Sequence, residues 1–277
     1  MQHKSGVYSA WGEVHLSVRF CVLGSGSRGN CTWIATERTR ILVDAGFGRK
    51  ETAGRLARAG HSLEACNAII ISHEHQDHIG GLRSLALKLR IPIYIVPATR
   101  DAIAWDEKTR SRAAFEMFSP GEKFGIGDIE ITPFSIPHDA VDPVAFTFES
   151  HGIKAAVVTD LGFLPEMVKQ HVRGCHCLVV ESNHDLDMLK VGPYPWFVKQ
   201  RVMGRHGHLS NRTTAQFLTD DYDGAAQVLV LAHLSEMNNH PEIVRLTAID
   251  ALGRRSKANG AELHLATQEA PTRVFQW

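Results

Sequence analysis

One stretch restricts this chain more than any other. Residues 69–71 are three isoleucines, and Ser72-His73-Glu74-His75-Gln76-Asp77-His78 follows them with three histidines and two acids. A short apolar run closed by a polar turn has the pattern of a fully buried strand. Imidazole and carboxylate are the ligands that borderline divalent metals favour. Alternate residues of a turn leaving a strand can converge on one point. His73 and His75 can therefore share one ion, while Asp77 and His78 reach a second beside it. The fold must bring this strand end to a place where further ligands can arrive.

Three other strand ends supply candidates. His138 follows Ile136, Asp160 follows Val158, and His233 follows Leu231 closely. A sheet whose loops converge on a metal centre at one edge would show this regularity. The rest of the chain reads as strands and helices in mixed order. Period-two alternation predicts a strand over Leu16–Val22, and Cys31–Ala35 and Arg40–Val43 read as two further short strands. Helical spacing predicts Glu51–Ala59, Leu82–Leu89 and Leu164–Val172, a helix capped by Thr99, one capped by Ser210, and one from Pro241 to about Lys257. The strand-after-strand rhythm of residues 16–47, mixed with helices, argues against a simple doubly wound sheet.

With 277 residues, 44% hydrophobic, the chain can bury a large core. Thirty Lys and Arg balance thirty Asp and Glu, so no global charge points to nucleic acid, although a local basic groove is compatible with a neutral total. Residues 190–212 have such a bias. Lys190, Lys199, Arg201, Arg205 and Arg212 fall there without an acid, interleaved with Tyr194, Trp196 and Phe197. The aromatics are expected in the core, as most are. Five cysteines at irregular spacing do not form a disulfide framework. Cys175 and Cys177 are expected as buried thiols on one strand face. Apolar runs are too short to span a membrane. Residues 1–17 lack a signal-peptide core and read as a polar extension before a single domain over 18–277 in a cytoplasmic protein. The loop Leu23-Gly-Ser-Gly-Ser-Arg-Gly-Asn30 can present backbone N–H groups to an anion, or be a plain hairpin connection. Asp44, at the end of a buried strand, carries no weight alone.

Together these residues resemble the metallo-β-lactamase-fold hydrolases, from about Val18 to the C-terminus. His73-Glu-His75-Gln-Asp77-His78 is similar to that superfamily's signature, with Asp44, His138, Asp160 and His233 at its other site positions. The resemblance implies an α/β, four-layer αββα sandwich with two divalent ions, Zn2+ or Mn2+, at one edge. It implies that His73, His75 and His138 hold one ion, that Asp77, His78 and His233 hold the other, and that Asp160 bridges them while Asp44 orders the site. The 23–30 loop, Glu181-Ser-Asn-His184, Gly207-His208-Leu-Ser-Asn211 and His233-Leu-Ser235 resemble the YycJ/WalJ branch, which is linked to DNA exonuclease activity. His208 is also placed like the catalytic acid of ribonuclease Z and the PhnP-type phosphodiesterases.

The function so implied is a phosphodiesterase or nuclease with nucleic acid, in particular DNA, as substrate. A water ionised between the metals would attack phosphorus, Asp77 would orient it, and His208 would assist the leaving oxygen. Ser27, Asn30, His184 and Arg205 are candidates for supporting the site or touching substrate. Two alternatives keep the same ligands: a lactonase or glyoxalase II-like thioesterase, which needs no cationic His208, and a non-catalytic metal-bound nucleic-acid binder.

Overall fold

The computed structural model describes residues 17–255 and 260–277. Most of the 1–17 extension and the expected helix end near Lys257 lie outside the described residues. Two seven-stranded sheets face each other. The first holds β1 (Arg19–Gly24), β2 (Cys31–Ala35), β3 (Arg40–Val43), β4 (Ala68–Ile70), β5 (Ile93–Ile95) and β6 (Phe115–Met117) in chain order. The second holds β7 (Phe124–Ile126), β8 (Ile129–Ser135), β9 (Val144–Ser150), β10 (Ile153–Val158), β11 (Cys177–Glu181), β12 (Val228–Ala232) and β13 (Glu262–Leu265), again in order. A last strand, β14 (Phe275–Gln276), returns to the first sheet and pairs antiparallel with β1.

Side-chain alternation sorts the strands' apolar residues into three cores. Ile41, Val43 and Ile70 face Ile131, Phe146, Val157, Val179 and Val230 of the other sheet. Leu42 and Ile69 point outward, under α1 (Arg49–Arg58), α2 (Gln76–Ile79) and α3 (Leu82–Leu89). The helices α4 (Pro97–Ala102) and α5 (Glu107–Arg112) follow on that side of the chain order. Leu178, Val180, Leu229 and Leu231 pack outward with Val168, Phe217 and Val244. Those three belong to α6 (Glu166–Val172), α9 (Asn211–Asp220) and α10 (Pro241–Gly253). Between α6 and α9 lie two short helices, α7 (Leu186–Val191) and α8 (Trp196–Val202). The result is the four-layer αββα sandwich. Among the described residues no helix is long and apolar enough to cross a membrane.

Several local expectations need correcting. Thr99 does not cap its helix; it is buried inside α4, whose cap is Val96 and whose first turn begins with Pro97. Proline favours that position because its missing N–H would be unpaired there anyway. Ser210 does cap α9, accepting from Thr213 N at 3.1 Å, a cap worth about 1 kcal/mol. All five cysteines are buried and free. However, Cys177 faces the other sheet while Cys175, which precedes the strand, packs with the helices. Trp196 and Phe197 are 62% and 71% exposed rather than in the core.

Candidate metal centre

β3, β4 and β5 run parallel in the first sheet, as do β10, β11, β12 and β13 in the second. Carboxyl ends of parallel strands are where α/β sheets open a crevice. Here β3 ends before Asp44, β4 before Ser72-His73, β10 before Asp160 and β12 before His233, while β11 ends in Glu181. The loop after β8 brings His138.

The seven expected ligands come together in two groups. His73, His75 and His138 place donor atoms within 4.8 Å of one another, as do Asp77, His78, Asp160 and His233. His138 Nε2 faces His75 Nδ1 at 3.2 Å. Asp160 Oδ1 lies 3.3 Å from His233 Nε2, and its Oδ2 lies 3.2 Å from His78 Nε2.

Four of the expected ligands, His73, His78, His138 and Asp77, are oriented by neighbouring groups. Asp44 accepts from Ser72 N at 2.8 Å and from Ser72 Oγ at 2.9 Å, and its Oδ2 takes the Nδ1–H of His78 at 2.8 Å. The Ser72 hydroxyl is 3.0 Å from His73 Nδ1. His138 Nδ1 donates to Gly207 O at 3.2 Å. With the δ nitrogens of His73, His78 and His138 so occupied, their ε nitrogens are left for an ion. Asn30 Nδ2 donates to Asp77 Oδ2 at 3.0 Å, and Asn30 N donates to Asp77 O at 2.7 Å. Asn30 is thus a buried positioning residue, packed so tightly that a Cβ on Gly46 would stand 2.5 Å from its nitrogen. Asp44, Asp160 and His233 all take left-handed backbone angles, φ 61°, 62° and 57°. Such strain costs about 1–3 kcal/mol per residue and persists where surroundings impose it.

The donors suit a divalent cation. His73 Nε2 is buried without a hydrogen-bond partner. Burial, with the charge of His78, pushes His73 well below the ordinary histidine range; burial lowers His138 too. Both are then neutral imidazoles, the ligating form. For Asp77, burial pushes upward, but hydrogen bonds from His233 and His78 more than reverse it and hold the carboxyl low. Burial would lower His78 and His233, yet the Asp160 carboxylate raises both; Asp160 is held low in turn.

Glu181 is the residue that sequence reasoning missed as a site residue. It is fully buried and accepts four hydrogen bonds: Leu161 N at 3.2 Å, Leu209 N at 2.9 Å, His208 Nδ1 at 2.8 Å and His233 Nδ1 at 3.0 Å. Those four donors use the lone pairs of a carboxylate. Glu181 could join a third donor group with Asp160, His208 and His233, but its oxygens are already spent, so it reads as an orienting residue. Burial pushes Glu181 up, and the His208 charge and hydrogen bond outweigh it, leaving the carboxyl at about 2. Burial likewise lowers His208, while the Glu181 charge and hydrogen bond carry it above the ordinary histidine value.

A cleft of about 190 Å³ opens over these groups. Ser27, Asn183, Tyr194, Ser235 and Asn238 line it together with Asp77, Asp160, His208 and His233. A neighbouring lobe beside His138 is lined by Val198, Arg201 and Val202. Ser27 therefore reaches the cleft. His184 does not: it is buried, and burial lowers it to about 4. Arg205 stacks on Phe163 at 4.5 Å, outside the cleft lining, and Arg201 takes the position at the rim.

A sandwich of this topology with His/Asp donors at one edge defines a class, and residues 39–234 match the beta-lactamase superfamily domain. The chain belongs to the metallo-β-lactamase superfamily, in the branch that holds YycJ and WalJ, and is a metal-dependent hydrolase. It is 34% identical over 268 residues to exodeoxyribonuclease YycJ of Bacillus anthracis, covering 94% of this chain and 99% of that one. It is 31% identical over 252 residues to exodeoxyribonuclease WalJ of Streptococcus pneumoniae serotype 2, covering 89% and 93%. A diphosphatase of the PhnP family shares the fold, with a TM-score of 0.66 at 18% identity over 94% of this chain and 98% of that one.

Proposed function

We propose that this hydrolase is a dinuclear phosphodiesterase that removes nucleotides from the ends of DNA. The observation that carries it is the His208–Glu181 pair at the cleft. A histidine whose Nδ1 is held by a buried carboxylate, and whose pKa is thereby raised, is a cationic acid beside the metal ligands. Hydrolysis of a lactone or thioester makes no such demand. The names of the Bacillus and Streptococcus relatives supply DNA as the substrate and an end as the point of attack.

In this reading His73, His75 and His138 would hold one ion and Asp77, His78 and His233 the other, with Asp160 available to both. Two zinc or manganese ions would bring the pKa of a bound water toward about 7 and neutralise charge growing on the phosphoryl oxygens. Asp77, fixed by Asn30, orients the attacking water. His208 gives its Nε2 proton to the departing oxygen while Glu181 keeps the ring in place. Ser27, Asn183, Ser235 and Asn238 offer neutral hydrogen-bonding groups to the nucleotide on the far wall.

End-labelled single- and double-stranded DNA and RNA, digested with added Zn2+ or Mn2+, test the reading. Stepwise release of nucleotides from a DNA end is expected. Turnover of a lactone or thioester with no cleavage of DNA or bis-p-nitrophenyl phosphate would replace it, and so would DNA binding without cleavage under any metal supply.

The acid role has its own pH signature. A general acid must be protonated, so turnover falls as pH rises through the His208 pKa. In the wild type that alkaline limb should lie above about 6.5, the ordinary histidine value. Glu181→Gln removes the charge that raises His208 and leaves the burial that lowers it. The limb should then move toward acid, a shift read from pH profiles of kcat at constant metal content. An unmoved limb would separate Glu181 from the acid.

A further inference from the structure

The first turn of α8 exposes two neighbouring aromatic rings. Trp196 is 62% exposed and Phe197 71%, with Val191 at 86% just before them. Large apolar side chains left together in solvent mark a surface that meets something. Among the described residues no aromatic or cation–π partner is found for either ring. The same short helix buries Lys199 and turns Val198, Arg201 and Val202 into the cleft lobe beside His138 and His208. Phe197 and Arg201 are four apart and share a helix face, with about 5–6 Å between their β carbons. Tyr194, two residues before Trp196, lines the metal cleft itself. Phe197 thus stands one helical turn before Arg201 of the lobe, and Trp196 adjoins it on the solvent side of α8.

We propose that Trp196 and Phe197 form a stacking platform for unpaired bases of the substrate strand beside the scissile phosphate. The proposal rests on the phosphodiesterase reading. Charge favours a nucleic-acid strand as the occupant. Of the five Lys and Arg in residues 190–212, Lys199 is buried on Lys190 O and Arg205 stacks on Phe163 outside the cleft, while Arg201 lines the lobe and Lys190 is exposed. The ion pairs of Arg201 with Asp139 and of Lys190 with Asp187 are surface pairs, weak enough for a phosphate to compete. Bases stack on aromatic faces with little regard to sequence, because every base presents a π-face. A strand whose phosphate sits at His208 and whose backbone passes Arg201 would set its next bases over Phe197 and Trp196. The platform serves a single strand or a frayed end, since paired bases have no free face.

Binding measured without cleavage tests this. Metal-loaded protein carrying His208→Ala is titrated into a fluorescently end-labelled single-stranded oligodeoxynucleotide and followed by anisotropy. Adding Trp196→Ala and Phe197→Ala should weaken binding by about 5- to 100-fold per stacked base. Abasic sites near the end should weaken binding to the parent by a similar factor and change nothing for the doubly substituted protein. Trp196→Phe with Phe197→Tyr, which keeps both π-faces, should stay within about threefold of the parent. Because both side chains are exposed, a thermal melt should show the alanine variants folded. The platform is overturned if the alanine variant holds the strand as tightly as its parent, or if abasic sites cost the parent nothing. A wild type that cleaves DNA while the platform variants bind normally removes the platform and leaves the phosphodiesterase reading. A wild type that neither cleaves nor binds any strand removes both.

Discussion

Replacing His208 with alanine should lower kcat on DNA by about 10²–10⁴-fold, the range general acid–base catalysis contributes. Bound metal should stay at the wild-type ratio, measured by elemental analysis of the purified protein. The asymmetry follows from the ring's contacts. His208 gives Nδ1 to Glu181 at 2.8 Å and stacks on His233 with ring centroids 5.1 Å apart, so it stands beside the proposed ligands without completing either group. Full activity of the variant on DNA would sink the acid assignment. Loss of metal along with activity would instead make His208 a ligand, through the third donor group that it shares with Asp160, Glu181 and His233.

Asp160→Asn should have the larger effect on metal. The substitution keeps the side chain's shape and removes its charge. Asp160 is buried between His78 and His233, and its carboxylate leads the charges that raise both imidazoles against the pull of burial. An amide there offers one weaker oxygen and no charge to balance a dication. Metal retention should fall at least about 100-fold, the upper range for changes to groups that merely support a ligand. Competition with a chromogenic chelator reads this without reference to turnover. Retention equal to wild type would place the ions away from Asp160. Circular dichroism should show the variant folded, since asparagine tolerates the left-handed angle that Asp160 adopts.

The placement of the seven candidate ligands was legible because each follows an apolar strand, and strands buried on both faces read as unbroken apolar runs. Ile69–Ile71 and Val157–Val158 announce their strands without help, so the polar residue after each stands out. Glu181 did not stand out. It is the last residue of β11, an acid closing an apolar run, and only the four donors that the folded chain aims at it distinguish it from a turn former. Asn30 lay in a loop that read equally as anion cradle or hairpin; the folded chain shows it holding Asp77. Trp196 and Phe197 were expected inside because most aromatics are. Helix α8 is too short, seven residues, to show a periodic face, so nothing in the pattern said which way its aromatics turn. Cys175 was put on the wrong face for a related reason: alternation holds only within a strand, and β11 starts two residues later.

The donors gathered at the sandwich edge come from opposite ends of the chain. Asp77 and His233 stand 3.3 Å apart across 156 positions of sequence. Closing so long a loop costs entropy that only the finished packing of both sheets repays. Neither sheet carries a full donor set: the first supplies His73, His75, Asp77 and His78, the second His138, Asp160 and His233. A chain still emerging, or one that has docked a single sheet, has the signature motif and still lacks the centre. Catalytic competence is thereby tied to completed assembly. A half-folded molecule is kept inactive by geometry alone, with no separate inhibitor required.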